Sequence, residues 1–166
     1  MVRTVLILLL VVLQAVFGAP QFLLGTEDYW LRALAYSFFH ASWWHLSVNC
    51  LTAWGIFSRK MSLGAFLKML LVAFLIAVAV YPLSFRPVIG FSNVLYAVLG
   101  LRTPSLKSKW WRQSSVILFL IITVVMVFVP QFSATTHLAA FVLGTAGAAI
   151  KRRWLLFVQD ARRYFY

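Results

Sequence analysis

The apolar run from Gly90 to Gly100 is too short to cross a lipid bilayer, and a serine stands near its start. Ser92 is ten residues from Arg102, the first charge that follows, which is about 15 Å of helix. Because a hydrocarbon core is about 30 Å thick, Ser92 is expected near its middle. Backbone interrupted by Pro87 and Gly90 is tolerated at that depth only where protein buries it or water reaches it. Ser92 is therefore a candidate nucleophile, with a helix-capping or packing serine as the alternative.

The composition indicates a membrane protein of one domain, residues 1–166, with no room for a second, soluble domain. The chain is 63% hydrophobic, with a mean hydropathy of +0.92. Its net charge of +12 lies between apolar segments, which favours membrane orientation and contact with anionic lipid over nucleic-acid binding. Cys50 is the single cysteine, so a disulfide framework is excluded.

The alternation of apolar and charged stretches predicts an all-α polytopic bundle of six transmembrane helices, the fourth of which is short and starts in mid-membrane. The predicted spans are residues 4–24, 41–58, 62–81, 92–101, 114–129 and 136–150. Residues 25–40 are expected to form an exposed loop or a short interfacial helix. The tail, 151–166, is predicted to be a cytoplasmic interfacial amphipathic helix. Phe17 and Pro20 do not suit signal-peptide cleavage after Ala19, so the first segment is interpreted as an uncleaved span.

The distribution of basic residues predicts the orientation of these spans. In the six-span arrangement, Arg32 and Arg86 lie on one side of the membrane, and the other members of the 15 Lys and Arg residues lie on the opposite side. The positive-inside rule places the other side, with both termini, in the cytoplasm. We therefore expect a multi-pass protein of the plasma membrane, specifically a bacterial inner membrane.

The polar residues of the spans fall at two matched depths. Ser92 and Asn49 each lie ten residues from the inner charge that ends their helix, and His45 and His137 each lie fourteen residues from theirs. The two layers are therefore about 6 Å apart. His45 and Asn49 share one helix face, and so do Ser92 and Tyr96. Such residues usually face a bundle interior, where they form either a catalytic cluster or interhelical hydrogen bonds.

The acidic residues of the chain limit the chemistry of such a cluster. They are Glu27, Asp28 and Asp160, and none lies in a span beside His137. A Ser-His-Asp triad and a paired-carboxylate mechanism are therefore improbable, and the absence of an HExxH motif argues against a zinc protease. The remaining hypothesis is a dyad in which His137 deprotonates Ser92 and later protonates the leaving amine.

Three other side chains have supporting roles in this hypothesis. Without an acid to orient the imidazole, the ring of Tyr96 is placed to stack on His137. Asn49, His45 and the backbone N–H of Ser92 are candidate donors to a developing oxyanion.

These motifs resemble those of the rhomboid intramembrane serine proteases. The family pattern H-x4-H-x3-N corresponds in this chain to His40, His45 and Asn49. The pattern G-x-S-G corresponds to Gly90-Phe91-Ser92-Asn93, which is followed by Tyr96. The pattern H-x2-G-x3-G corresponds to His137, Ala140 and Gly144. The segment Trp30-Leu31-Arg32 is similar to a tryptophan-arginine pair in the family's first loop, with one residue inserted.

The resemblance implies that Ser92 is the nucleophile and His137 the general base, with Asn49 and His45 in the oxyanion hole. His40 would support that site, or would be a loop histidine bonded to backbone. The implied substrates are single-pass transmembrane proteins, cleaved near the external membrane surface and often after a small residue. No cofactor and no metal are implied, and a monomer is expected to suffice.

Two residues depart from the family pattern, because Asn93 and Ala140 stand where glycines are usual. Asn93 is expected either to widen the separation of Ser92 and His137 or to add an amide donor to the site. It also motivates an alternative function, a catalytically inactive rhomboid-like protein that binds transmembrane segments. A third hypothesis is a haem-binding bundle with His45 and His137 as axial ligands.

Overall fold

The computed structural model describes residues 2–18, 29–57, 61–84, 89–105 and 133–165, together with the single positions 110, 113, 116, 117, 121 and 124. These residues form helices, 3-10 turns and short connections, and no strand occurs among them. The predicted all-α class is therefore confirmed for this part of the chain.

Six helices are described, and they are α1 (Val2–Phe17), α2 (Tyr29–Ala35), α3 (Trp43–Ile56), α4 (Leu63–Val80), α5 (Ser92–Arg102) and α6 (Ala134–Phe165). Three 3-10 turns follow α2, α4 and α5, at Tyr36–Phe38, Tyr81–Leu83 and Thr103–Ser105. The predicted second, third and fourth segments agree with α3, α4 and α5 to within two residues at each end. The predicted fifth segment, 114–129, lies outside the described residues except for four helical positions, 116, 117, 121 and 124.

The first helix ends earlier than predicted. Gly18 has a φ of 61°, and its N–H donates to the carbonyl of Gln14 at 2.9 Å. This left-handed glycine ends α1 at Phe17, since few other residues adopt that conformation without strain. The helix therefore ends at Phe17, whereas the first span was predicted to reach residue 24, and residues 19–24 lie outside the described residues.

The helix α5 is the centre of the described bundle. It packs against α3, α4 and α6, and its residues are buried on all sides. A helix of 11 residues that buries nearly its whole circumference belongs to a core and not to a surface. The short predicted segment at 92–101 is therefore the element around which the other helices are arranged.

Within the described residues, one helix is long and apolar enough to cross a membrane, Leu63–Leu83, with a mean hydropathy of 2.6. The helix α1 is apolar but shorter. The exposed side of α4 is a row of leucines at every fourth position, namely Leu63, Leu67, Leu71 and Leu75. An outward apolar row of this kind suits contact with lipid. The number of spans stays a prediction.

The connection before α3 is more buried than predicted. Residues 29–35 form a short helix, which is one of the two structures predicted for residues 25–40, and Trp30 on it is exposed. Tyr36, Ser37 and His40, in contrast, are at most 2% exposed. The prediction of an exposed loop is wrong for these residues, and two of them, Tyr36 and His40, bond to the start of α5.

The last helix runs without interruption from Ala134 to Phe165, over 32 residues, or about 48 Å. The predicted sixth span, 136–150, and most of the predicted tail therefore form one helix. No glycine or proline lies between Lys151 and Phe165, so the local sequence has no helix breaker there.

Candidate active site

Ser92 is the first residue of α5, and Gly90, a glycine with a positive φ, lies two residues before it. Gly90 has a φ of 133°, a region that residues with a side chain rarely adopt. The backbone N–H of Gly90 donates to the carbonyl of Tyr36 at 3.0 Å. This turn directs the chain into α5 with the Ser92 side chain buried, at 5% exposure.

His137 lies in the first turn of α6, and hydroxyl groups fix that turn. The Thr136 hydroxyl donates to the carbonyl of Ser133 at 3.0 Å, and the Thr135 hydroxyl donates to the carbonyl of Leu83 at 3.3 Å. The second bond ties the start of α6 to the turn that follows α4. The Thr136 bond stays within the first turn of α6, so the two hydroxyls fix this turn both internally and against the end of α4.

The side chains of Ser92 and His137 are in hydrogen-bond contact. His137 Nε2 lies 2.7 Å from Ser92 Oγ, and both side chains are buried. When the ring proton is on Nδ1, Nε2 accepts the serine proton, which is the geometry that a general base requires. Within the described part of the chain, His137 Nδ1 has no hydrogen-bond partner, so no acid is seen behind the imidazole.

An aromatic ring occupies the place beside the imidazole. The rings of Tyr96 and His137 have centroids 4.6 Å apart and planes inclined by 51°. The two rings are in contact, as expected from the spacing of Ser92 and Tyr96, but they are tilted and not stacked. The contact limits rotation of the imidazole from one side.

Asn49 and His45 lie next to the glycine turn, on α3. A Cβ atom built on Gly90 would lie 2.8 Å from His45 Nε2 and 3.5 Å from Asn49 Nδ2. Asn49 is 4% exposed, and its Nδ2 has no acceptor among the residues described. A buried amide donor without an acceptor is uncommon, and it is suited to a ligand oxygen.

His40 is bonded to backbone, which is one of the two roles considered for it. The Phe91 N–H donates to His40 Nε2 at 3.4 Å, and the His40 ring meets that of His45 edge to face at 5.3 Å. Burial, with a smaller contribution from His45, lowers the pKa of His40 from 6.5 to about 3. The ring is therefore neutral at physiological pH, with its proton on Nδ1.

Asn93 was expected either to widen the separation of Ser92 and His137 or to add an amide donor to the site, and neither effect is seen. It is fully buried, and its Nδ2 donates to the Tyr36 hydroxyl at 3.0 Å. The contact of Ser92 with His137, at 2.7 Å, is not widened. The amide nitrogen is engaged by the Tyr36 hydroxyl. Tyr36 was not singled out from the sequence, where its one signal is a position four residues before His40.

Among the described residues, no group of three or more His, Cys, Asp and Glu side chains is arranged to hold a metal ion. His137 Nε2, which a haem iron would need, is engaged with Ser92.

Comparison with known families identifies this chain. The model of the rhomboid domain matches residues 27–154, which is most of the chain and includes the residues from His40 to His137. No curated protein and no solved structure matches it. The chain therefore belongs to the rhomboid family, a membrane-embedded family of intramembrane proteases and inactive homologues.

Proposed function

We propose that this protein is an intramembrane serine endopeptidase, with Ser92 as the nucleophile and His137 as the general base. The observation that carries the proposal is the buried 2.7 Å contact between Ser92 Oγ and His137 Nε2 inside a rhomboid domain. A packing serine needs only one acceptor, which the preceding turn of a helix can supply. A buried serine that instead contacts an imidazole has the arrangement of an activated nucleophile.

The reaction follows from this pair. Ser92 Oγ attacks the carbonyl carbon of the scissile peptide bond while His137 Nε2 accepts the hydroxyl proton. As the C–N bond breaks, the imidazolium donates that proton to the leaving amine, and the acyl group stays on Ser92 as an ester. A water molecule, deprotonated by the same imidazole, then hydrolyses the ester and restores the serine.

The negative oxygen of the intermediate needs donors that are already in place. Asn49 Nδ2, which is buried and has no acceptor among the described residues, is the first candidate, and His45 lies against the same turn at Gly90. Gly90 has no side chain, so both His45 and Asn49 can lie directly against the turn that leads to Ser92. Tyr96 keeps the imidazole in position, and His40 holds the Phe91 N–H at the start of α5.

The proposed substrates are transmembrane segments of single-pass proteins, cut near the external face of the membrane. Ser92 lies ten residues before Arg102, near the middle of the hydrocarbon core, so a substrate helix must unwind from the external face down to that depth before its peptide bond reaches the serine. The proposal includes six spans, both termini in the cytoplasm of a bacterium, and activity as a monomer, since one chain supplies both Ser92 and His137.

The alternative of an inactive homologue was motivated by Asn93. That residue is turned toward Tyr36, and the pair of Ser92 and His137 is in contact. No observation therefore favours the inactive alternative over the protease.

The test is labelling of the purified full-length protein in detergent with a fluorophosphonate probe, paired with cleavage of a transmembrane reporter in liposomes. Wild type is expected to be labelled and to cleave, and Ser92→Ala to do neither. His137→Ala should be slower by about 100-fold or more. Ser47→Ala is the matched control, because this exposed hydroxyl donates to the carbonyl of Trp43 in its own helix. Undiminished cleavage by Ser92→Ala would overturn the proposal.

A further inference from the structure

Tyr36 makes hydrogen bonds to residues on both sides of Ser92 and to α4. Its carbonyl accepts from the Gly90 N–H at 3.0 Å, two residues before the serine. Its hydroxyl accepts from Asn93 Nδ2 at 3.0 Å, one residue after the serine. The same hydroxyl donates to the carbonyl of Ala77 at 2.8 Å.

The bond to Ala77 anchors Tyr36 to α4. In a regular helix the carbonyl of Ala77 would accept from the N–H of Tyr81, but that N–H bonds Val78 instead as the helix tightens into its 3-10 turn. The carbonyl of Ala77 is thus one of the unpaired groups at a helix end, and the Tyr36 hydroxyl satisfies it. The ring of Tyr36 also packs on that of Tyr81, at a centroid distance of 4.8 Å.

We infer that Tyr36 and Asn93 are positioning residues for Ser92, which hold the start of α5 in the rotation that keeps the serine in reach of His137. The inference rests on the proposed function. Adjacent residues of a helix point about 100° apart around its axis, so fixing the direction of Asn93 also fixes that of Ser92. Tyr36 also holds the chain before Ser92, through its bond to Gly90. We call these two bonds of Tyr36, to Gly90 and to Asn93, the clamp.

Burial gives this clamp its strength. Asn93 is fully buried and Tyr36 is 2% exposed, so water cannot replace a lost bond between them. Asn93 stands where the family pattern has glycine, and a glycine offers no side chain to bond. The clamp is therefore a feature of this chain and not of the shared motif.

The test compares Tyr36→Phe, Asn93→Ala and the double variant with wild type. Tyr36→Phe keeps the ring contact with Tyr81 and the backbone bond to Gly90, and it removes only the hydroxyl. Tyr29→Phe is the matched control, since the Tyr29 ring also contacts Tyr81 and no bond of its hydroxyl to α5 is present in the described part of the chain. Two quantities are measured with the fluorophosphonate probe, namely the final labelled fraction and the second-order rate constant of labelling. Cleavage of the reporter adds kcat and KM.

Each single variant is expected to reach the labelled fraction of wild type with a rate constant and kcat about tenfold lower, and with KM unchanged. The double variant should be no slower than the slower single variant, because the bond between Tyr36 and Asn93 is already lost in each single variant. The inference would be overturned if either single variant had the labelling rate constant of wild type, or if the two single effects multiplied in the double variant. A loss confined to the labelled fraction and the unfolding midpoint would also overturn it. Failure of wild type to be labelled would instead overturn the proposed function, and the inference with it.

Discussion

Gly100 and Gly144 lie on the facing surfaces of α5 and α6, each against the backbone of the other helix. A Cβ atom on Gly100 would collide with the carbonyl of Phe141, and one on Gly144 would collide with the carbonyl of Ala97. The two helices are therefore in backbone contact at this crossing, as small residues permit. The crossing at Gly100 lies about two helical turns after Ser92 on α5, so it sets the distance between the serine and the imidazole.

Gly144→Ala is expected to force α5 and α6 apart. The added methyl group would meet the backbone of Ala97 and Leu101, which cannot move aside as a side chain can. Overpacking of this kind destabilises by about 1–3 kcal/mol. We expect a lower unfolding midpoint and a rate constant of fluorophosphonate labelling reduced at least about tenfold, because the approach of the reacting atoms is sensitive to shifts of about 1 Å.

Gly147→Ala is the control for this substitution, on the same helix and three residues further along. A Cβ atom there would have no neighbour within 4 Å. Equal labelling rates for Gly144→Ala and Gly147→Ala would show that the close crossing does not position the reacting pair.

Gly90→Ala tests the turn that leads into Ser92. A φ of 133° strains any residue with a side chain, and the new methyl group would lie 2.5 Å from His45 Cε1. Either the turn changes or His45 moves, and both disturb the proposed oxyanion site. Strain of this kind amounts to about 1–3 kcal/mol. We expect cleavage of the reporter to fall by at least about tenfold.

The comparison for Gly90→Ala is Gly55→Ala, in α3, where no atom lies within 4 Å of the added methyl group and φ is not positive. This variant should cleave like wild type and be no less stable, since alanine favours helix over glycine. Wild-type cleavage by Gly90→Ala would contradict the importance of the turn.

The reacting pair could be predicted because depth in a membrane can be counted along a helix. Ser92 and His137 each precede a basic residue by a known number of residues, which placed them at neighbouring depths. Matched depth alone left interhelical hydrogen bonds as an alternative, and the resemblance of the motifs to the rhomboid pattern is what implied the roles of the two residues.

The direction of Asn93 could not be predicted in this way. Counting gives the depth of a residue and its angle relative to neighbours on the same helix, but not the rotation of the helix within the bundle. That rotation depends on Tyr36, a residue of the connection before α3, where the sequence shows no periodic pattern. Local sequence also gave no measure of how deeply Tyr36 and His40 are buried, since that depends on what packs over them.

Tyr96 is expected to act through its ring. Tyr96→Phe keeps the ring contact with His137, whereas Tyr96→Ala removes it. Because such a contact contributes about 1 kcal/mol, the alanine variant should be labelled roughly fivefold to tenfold more slowly than the phenylalanine variant. The rate constant of fluorophosphonate labelling measures this difference. Equal rates for the two variants would mean that something other than the ring orients the imidazole.

His40 is expected to make stability depend on pH. Its pKa is about 3 in the folded protein against an ordinary 6.5, because burial and the nearby His45 disfavour the charged ring. Between these values the unfolded chain binds a proton that the folded protein does not, so stability falls as pH decreases, by up to about 1.4 kcal/mol per pH unit. His40→Gln removes this term and leaves His45 and His137 in place. Denaturant unfolding in detergent from pH 7.5 to about 4.5 should therefore show a shallower decline for the variant, and parallel curves would contradict a neutral, buried His40.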